Sequence, residues 1–412
     1  MPPFNVPAMA EIRVELLIVG GGLAGMGLAA ACAGAGIETA LVDREEPAIV
    51  VAEPFDGRTT ALALGSQRVL AGIGLWPEIA AHAEPIREIR VADGAARQFL
   101  HYDHHLVGDE PLGFIVENRL LRRALLACLA ALPSLVHLAP RVVQRVDNAT
   151  ATAVADLDDG TRIRAALVAA ADGRASPLRE AAGIRALTWA YPQTGIVCTV
   201  RHAEPHRGIA VEHFLPAGPF AILPMTGQRS SIVWTERAAL APHLLALDED
   251  AFHAELARRF GDHLGALAVV GPRWSYPLSF LHAGRYVAPR LALVGEAAHV
   301  IHPIAGQGLN LGIRDAAALA ELIVDARRLG LDIGSGDVLE RYEGWRRLDA
   351  VLLAAATEGL NRLFSNDVPP LRIARDLGLA AVDRTPPLKR LFMRHAMGTL
   401  GELPRLARGA PL

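Results

Sequence analysis

Residues 14–19 read as a buried strand by composition and run straight into Gly20-Gly21-Gly22-Leu23-Ala24-Gly25, a G-x-G-x-x-G. Alanines and leucines at helical spacing follow as far as Ala35, Gly36 ends that helix, and residues 37–42 form a second strand ending in Asp43. Each part of this strand–turn–helix–strand–acid unit has a physical task. Gly20 permits the tight turn, Gly22 lets the backbone approach a pyrophosphate, and Gly25 lets the helix pack close to the strand. The helix N-terminus offers free N–H groups and the positive end of its dipole to phosphates. Asp43 stands 18 residues after Gly25, where a carboxylate accepts ribose hydroxyls. The unit predicts dinucleotide binding and leaves NAD and FAD open. An acid at the end of the second strand argues against NADP, whose 2′-phosphate it would repel.

The same stretch imitates a membrane span, because residues 16–37 carry no charge and are long enough to cross a bilayer. Its glycine cluster divides it, so a strand, a turn and a helix are expected instead. The chain has 412 residues, enough for two or three domains, with 51% apolar and 21% charged residues. A net charge of −3 leaves no electrostatic footprint for nucleic acid. Lys389 is the only lysine, which excludes a P-loop and Schiff-base chemistry in the body of the chain. Cys32, Cys128 and Cys198 form no CxxC pair; Cys32 and Cys128, in Ala/Leu-rich helical runs, read as buried core residues, and a reducing cytosol is compatible. Residues 1–10 lack the basic start and apolar run of a secretion signal. His299 and His302 have no third partner in view, so no metal site is expected.

Two further motifs follow strands. Residues 167–171 lead into Asp172-Gly173-Arg174, preceded from 136 to 164 by strand-like stretches with a hairpin turn at Asp159-Gly160. Residues 291–294 lead into Gly295-Glu296-Ala297-Ala298-His299, then His302-Pro303-Ile304-Ala305-Gly306-Gln307-Gly308-Leu309-Asn310-Leu311-Gly312, and an amphipathic helix is expected from about Leu309 to Leu329. With these three motifs in order, the chain resembles the flavoprotein aromatic hydroxylases of the p-hydroxybenzoate hydroxylase fold, and within them the ubiquinone-biosynthesis hydroxylases. Supporting segments are Asp56-Gly57-Arg58-Thr59-Thr60-Ala61-Leu62, Gly72-Ile73-Gly74-Leu75-Trp76, residues 112–118 and residues 218–224. The resemblance runs from about residue 14 to about residue 404 and is most specific in the late segment.

The resemblance implies an α/β fold: a Rossmann-like FAD-binding domain, an inserted antiparallel-sheet substrate domain and a C-terminal helical region. The corresponding division is 10–182 and 275–330 for the FAD-binding domain, 183–274 for the substrate domain and 331–412 for the helical region. It implies FAD, O2 and a reductant, either NAD(P)H bound transiently or an external electron-transfer protein, since no second G-x-G-x-x-G follows a strand. The implied activity is hydroxylation of a polyprenyl-phenol ring by a flavin C4a-hydroperoxide, in company with other ubiquinone-biosynthesis proteins. Gly20, Gly22, Gly25, Asp43, Arg58, Asn118, Asp172, Glu296, Gly308, Leu309 and Asn310 are the cofactor contacts, and Pro303, Gly306, Gln307 and Gly308 lie at the reacting edge. Glu296 replaces the usual aspartate of this motif, and Asn118 stands where glutamine or arginine is common. A flavin halogenase is disfavoured because no lysine matches its catalytic one. A hydroxylase of a soluble phenol, a prenyl reductase and a non-catalytic lipid-presenting subunit remain alternatives.

Strand-like runs between 183 and 274 predict a sheet over the flavin, with Phe214, Phe220, Leu223, Trp234 and Phe280 as candidates for either an apolar pocket or plain core. No arginine or tyrosine pair demands a carboxylated substrate, which favours a neutral, lipophilic phenol. The last eighty residues read as helices. Arg384, Lys389, Arg390, Arg394, His395, Arg405 and Arg408 among leucines, Phe392 and Met393 suit either a tail lying on an anionic membrane or a helix packed on its own domain. A cytoplasmic protein, peripheral on the inner membrane face in the first case, is the expectation.

Overall fold

The computed structural model describes residues 11–52, 55, 57–94, 99–149, 151–365, 378 and 381–412. Residues 1–10 and Asp56 lie outside the described residues. The uncharged stretch at 16–37 is divided as its glycines dictate. Strand Glu11–Val19 is buried from Leu16 on, the chain turns at Gly20, and helix Leu23–Gly34 starts with Gly22 as its N-cap. Among the described residues no helix is long and apolar enough to cross a membrane.

Five parallel strands form the centre of the first sheet, in the order Leu291–Leu293, Arg162–Ala170, Glu11–Val19, Thr39–Val42 and Leu135–Leu138. Leu16, Leu17, Val168 and Leu293 are buried without exposure, as a sheet covered on both faces requires. Strand Ala153–Leu157 forms the antiparallel hairpin with Arg162–Ala170, and Gly160 in its turn has φ +85°. Helix Gln307–Arg328 packs against helix Leu23–Gly34. They approach closely at Gly312, where a Cβ would come within 3.2 Å of the Ala24 methyl. The observed helix begins at Gln307, not Leu309. Gly306 adopts a left-handed conformation (φ +60°) that caps it earlier, so Gln307 and Gly308 belong to its first turn.

The second sheet has the order His299–Val300, Leu267–Ala283, Ala186–His202, Arg229–Arg237, Gly218–Met225, Ile209–Leu215, Glu88–Asp93 and Phe99–Asp103. Its pairs are antiparallel except Ile209–Leu215 against Glu88–Asp93. Strands from 88–103 and 299–300 join those of 183–274, and Leu267–Ala283 continues past Trp274. Period-two alternation gives this sheet two different faces. On one, Phe220 and Trp234 pack with Phe252 and Phe260 of helix Glu249–Phe260 in a closed core. The other carries Ala210, Ala221 and Val233 and faces a cavity. Phe220 and Trp234 are therefore core and not pocket residues. Phe280 is core as well, its ring stacked on Trp189 with centroids 3.9 Å apart. Phe214 and Leu223 do line the cavity.

A three-stranded sheet of Thr59–Ala63, Gly113–Glu117 and Glu84–Ile86 lies beside the two larger ones. The C-terminal part contributes helices Gly336–Phe364 and Pro386–Ala396.

Candidate functional site

The glycines of the first turn divide by what surrounds them. A Cβ on Gly20 would collide with the Ala171 carbonyl, and Gly20 holds φ +110°, so this turn excludes side chains. A Cβ on Gly25 would collide with the Gly20 carbonyl and sit 3.1 Å from the Ala171 methyl. Gly22 is different: nothing lies within 4 Å of where its Cβ would be. Its backbone faces open space at the start of a helix, where a pyrophosphate needs close approach. The carboxylate of Asp43 lies against Gly21, and burial raises its pKa. Four of the expected contacts, Gly20, Gly22, Gly25 and Asp43, thus converge at the C-terminal ends of the parallel strands.

Asp172 enters the same place from strand Arg162–Ala170. Its Oδ2 accepts from the Leu178 amide at 3.3 Å, while its buried Oδ1 has no partner, and burial raises its pKa. Arg58 and Asn118 meet through the Asn118 amide, which donates to the Arg58 carbonyl at 3.0 Å. The Asn118 Oδ1 accepts from Thr60 Oγ1 at 2.5 Å, and the Arg58 guanidinium lies 5.5 Å from the centre of the Trp274 ring. Glu296 is more than half exposed and faces Arg174 across 3.7 Å.

Pro303, Gly306, Gln307, Gly308 and Leu309 all line the cavity. Gly308, like Gly22, has nothing within 4 Å of an added Cβ, so its N–H and those of Gln307 and Leu309 form an open helix start. The Gln307 side chain donates from Nε2 to the Ala396 carbonyl at 3.2 Å, tying this turn to the last long helix. Asn310 is directed into protein. Its Nδ2 donates to the carbonyls of Ala61 (2.8 Å) and Gly306 (3.0 Å), and its Oδ1 accepts from the Ala63 amide (2.9 Å). It fixes the helix start against strand Thr59–Ala63.

The sequence reading missed what holds the Gly295 turn. Asp315, fully buried, accepts from the Gly295 amide at 3.1 Å, from His299 Nε2 at 2.6 Å and from Arg346 Nε at 2.8 Å. Burial alone would raise the Asp315 pKa, but His299 and Arg346 hold it down at about 2. The available signal was Arg314-Asp315, a charged pair interrupting the apolar face of a helix. His299 is engaged here, and His302 instead meets Gln193 Oε1 at 3.3 Å, with burial lowering its pKa to about 4.

The cavity measures about 910 Å³. It runs from Pro303 and Gly308 past Thr59–Ala63 and the open face of the second sheet to helices Gly336–Phe364 and Pro386–Ala396. Its walls are overwhelmingly apolar; Leu360, Leu363 and Phe392 line it while remaining 39%, 38% and 45% exposed, which places them at its rim.

Three observations fit FAD to these residues: open backbone at Gly22 and Gly308, a helix start at Gln307–Leu309 that lines the cavity, and the unpartnered buried oxygen of Asp172. A dinucleotide cradle and a large apolar cavity, bridged by Arg174 and Glu296 at the cavity edge and by the Gly295 turn packed on Ala24, define a flavoprotein that works on a lipophilic compound. Comparison with known proteins narrows this. The FAD binding domain family matches residues 13–351. The chain is 54% identical over 410 residues to the ubiquinone hydroxylase UbiL of Rhodospirillum rubrum, covering 99% of this chain and 95% of that one. It is 35% identical over 392 residues to the 3-demethoxyubiquinol 3-hydroxylase of Escherichia coli, covering 95% and 100%. Its fold superposes on the crystal structure of p-nitrophenol 4-monooxygenase PnpA from Pseudomonas putida with a TM-score of 0.78 at 20% identity, covering 95% and 100%. The chain belongs to the FAD-binding family of flavin-dependent aromatic hydroxylases that includes these ubiquinone hydroxylases, and it is an FAD-dependent monooxygenase.

Proposed function

We propose that this enzyme hydroxylates the aromatic ring of a polyprenyl-phenol intermediate of ubiquinone biosynthesis. The observation that carries the reading is the apolar cavity of about 910 Å³, which begins at Pro303 and Gly308 and ends at an exposed apolar rim. A ring placed at the inner end leaves a path for a prenyl tail toward the rim. Similarity to a ubiquinone hydroxylase over nearly the whole chain supports the same substrate class.

Gly20, Gly22 and Gly25 would seat the pyrophosphate, and Asp43 the adenosine ribose. Arg58, Asn118, Asp172 and Glu296 would bind the ribityl and phosphate portion. The N–H groups of Gln307, Gly308 and Leu309 would stabilise negative charge on the reduced ring system. Gly306 lets that turn form, Pro303 rigidifies the approach, and Asn310 positions it. Bound flavin, reduced by NAD(P)H or an electron-transfer protein, supplies the activation of O2. The protein's part is to orient the phenol beside the Pro303 turn and keep water out with apolar walls. The FAD-binding domain would span 10–182 and 275–330, the substrate domain 183–274 with strands from 88–103, 275–283 and 299–300 completing its sheet, and the helical region 331–412.

Peripheral membrane contact, with other pathway proteins nearby, extends this reading. Leu388, Leu391 and Phe392 are exposed on helix Pro386–Ala396 beside the exposed Arg390 and Arg394, close to the cavity rim. Lys389 and Arg405 are less available, being paired with Asp383 and Asp325 at 2.7 and 2.5 Å. Flotation with anionic vesicles tests the contact; an unbound protein removes it.

Mass spectrometry of the quinone pool in a strain lacking the chain tests the function. Accumulation of a prenylated phenol short of a hydroxyl-derived group, corrected by the intact gene and not by a Gly22→Val variant, is expected. An unchanged quinone pool, with no turnover of prenylated phenols by the purified enzyme, would overturn it.

A further inference from the structure

The open face of the second sheet is largely apolar, and among the described residues Glu212 is the one carboxylate of this sheet that lines the cavity. Reading across it from the edge, Leu100, Val91, Glu212, Ala221 and Val233 lie in register, and all line the cavity. Along its own strand Glu212 is flanked on that face by Ala210 and Phe214. Strand alternation therefore places a carboxylate in the middle of the substrate wall. Among the described residues no hydrogen bond or ion pair reaches it. The other titratable groups on this face or around the cavity are Asp93, Tyr102, Arg174, Tyr276, Glu296, His299 and His395, and none pairs with it. Arg90 and His213 occupy alternate strand positions, on the opposite face. A carboxylate kept in apolar surroundings without a donor is costly, and a packed core would not retain one.

We infer that Glu212 is the general base for the phenol, accepting the O–H hydrogen bond on binding and then the proton. The inference rests on the proposed phenolic substrate. In the step, the phenol O–H bond breaks, its proton passes to a Glu212 carboxylate oxygen, and the bonding pair stays on the phenolate oxygen. Electron density at the ortho and para carbons rises, as attack on an electrophilic oxygen requires; no electron leaves either partner. The side chain touches the cavity space yet is surrounded by protein, and that burial raises its pKa to about 7, the range in which a base is effective at neutral pH. Thr235, which also lines the cavity, has a buried hydroxyl without a partner and offers a second polar contact.

The test uses the FAD-loaded full chain with Glu212→Gln, Glu212→Asp and Glu212→Leu. With 2-geranylphenol, Glu212→Gln is expected to lose roughly 100-fold or more in turnover. The acidic limb of kcat/KM near pH 7 should vanish while the flavin spectrum stays unchanged, and Glu212→Asp should restore part of the rate. Wild-type rate and pH profile in Glu212→Gln would overturn the assignment. A second arm follows the visible phenolate band of bound p-nitrophenol between pH 7 and 8. The wild type should show phenolate where Glu212→Gln and Glu212→Leu show neutral phenol. Equal ionisation in all three, or no phenol binding, would overturn the assignment. If the wild type ionises p-nitrophenol but hydroxylates no prenylated phenol, the substrate reading fails and the base assignment stands.

Discussion

The cradle at Gly20–Gly25 and the cavity face around Glu212 would serve cofactor and substrate respectively, and they are specified in opposite ways. The cradle is local: a strand, a turn and a helix start within fifteen residues, with open backbone at Gly22 as its distinguishing feature. The cavity wall is assembled from five strands between residues 88 and 237, and its chemistry depends on which of two faces each side chain takes. Backbone recognition tolerates few side chains, whereas wall recognition is defined by them. The same kind of change should therefore have different consequences at the two ends.

The largest contrast is expected between two glycines of the cradle itself. Gly20→Val meets the Ala171 carbonyl and a positive φ, so it should fail to fold into soluble protein. Gly22 has φ −67° and ψ 171°, an extended conformation any residue adopts, with nothing within 4 Å of the added Cβ. Gly22→Val should give folded protein with native circular dichroism and no bound flavin. Stoichiometric yellow colour in Gly22→Val would show that the pyrophosphate does not lie over this residue.

The second effect concerns the support of the site. Asp315→Ala leaves the buried Arg346 and His299 without their shared carboxylate. Breaking a buried ion pair from one side typically costs ~3–5 kcal/mol. Chemical denaturation should show a loss of that order, together with weakened flavin binding because the Gly295 amide loses its acceptor. A destabilisation under ~1 kcal/mol would mean that Arg346 finds compensation in Asp349, which it also contacts at 2.8 Å.

These two sites also show what the sequence disclosed. The turn through Gly20, Gly22 and Gly25, with Asp43 beside it, was readable because its spacing is local and each glycine has a backbone reason to be there. Asp315 and Glu212 were not, since their partners or surroundings come from segments far along the chain. For Glu212 the parity with Ala210 and Phe214 is visible in the sequence, but which parity faces the cavity is decided by helix Glu249–Phe260 covering the other side. The same ambiguity put Phe220 and Trp234 among the pocket candidates. The helix start moved from Leu309 to Gln307 because Gly306 takes a left-handed conformation against strand Thr59–Ala63, a tertiary contact no propensity encodes.

A third, smaller effect is a cost of function in the cavity wall. The Glu212 carboxyl has a folded pKa of about 7 against an ordinary value of 4.5, raised by burial. The folded state thus holds a proton that the unfolded state releases. Stability should fall as pH rises from about 4.5 to about 7, and the loss is complete above that range. Replacing the group by Glu212→Leu removes the penalty, so the variant should gain ~3 kcal/mol over wild type at pH 8 relative to pH 4.5. Denaturation midpoints at the two pH values measure it; a difference independent of pH would mean that Glu212 is well solvated.

The smallest effect is expected at Glu296, where the two ends of the site meet. Its side chain is largely solvent-facing and its contact with Arg174 spans 3.7 Å, so little of the fold depends on it. Any consequence of Glu296→Ala must come from a direct hydrogen bond to the cofactor. A partly exposed bond contributes ~0.5–1.5 kcal/mol, so the FAD dissociation constant should rise by roughly 2- to 12-fold with no change in melting of the apoprotein. Glu296→Asp should bind like wild type if backbone shifts or a water make up the missing methylene. Titration of apoprotein with FAD distinguishes these results. Unchanged affinity in Glu296→Ala would confine cofactor recognition here to backbone groups, making this end of the cavity like the cradle rather than like the wall.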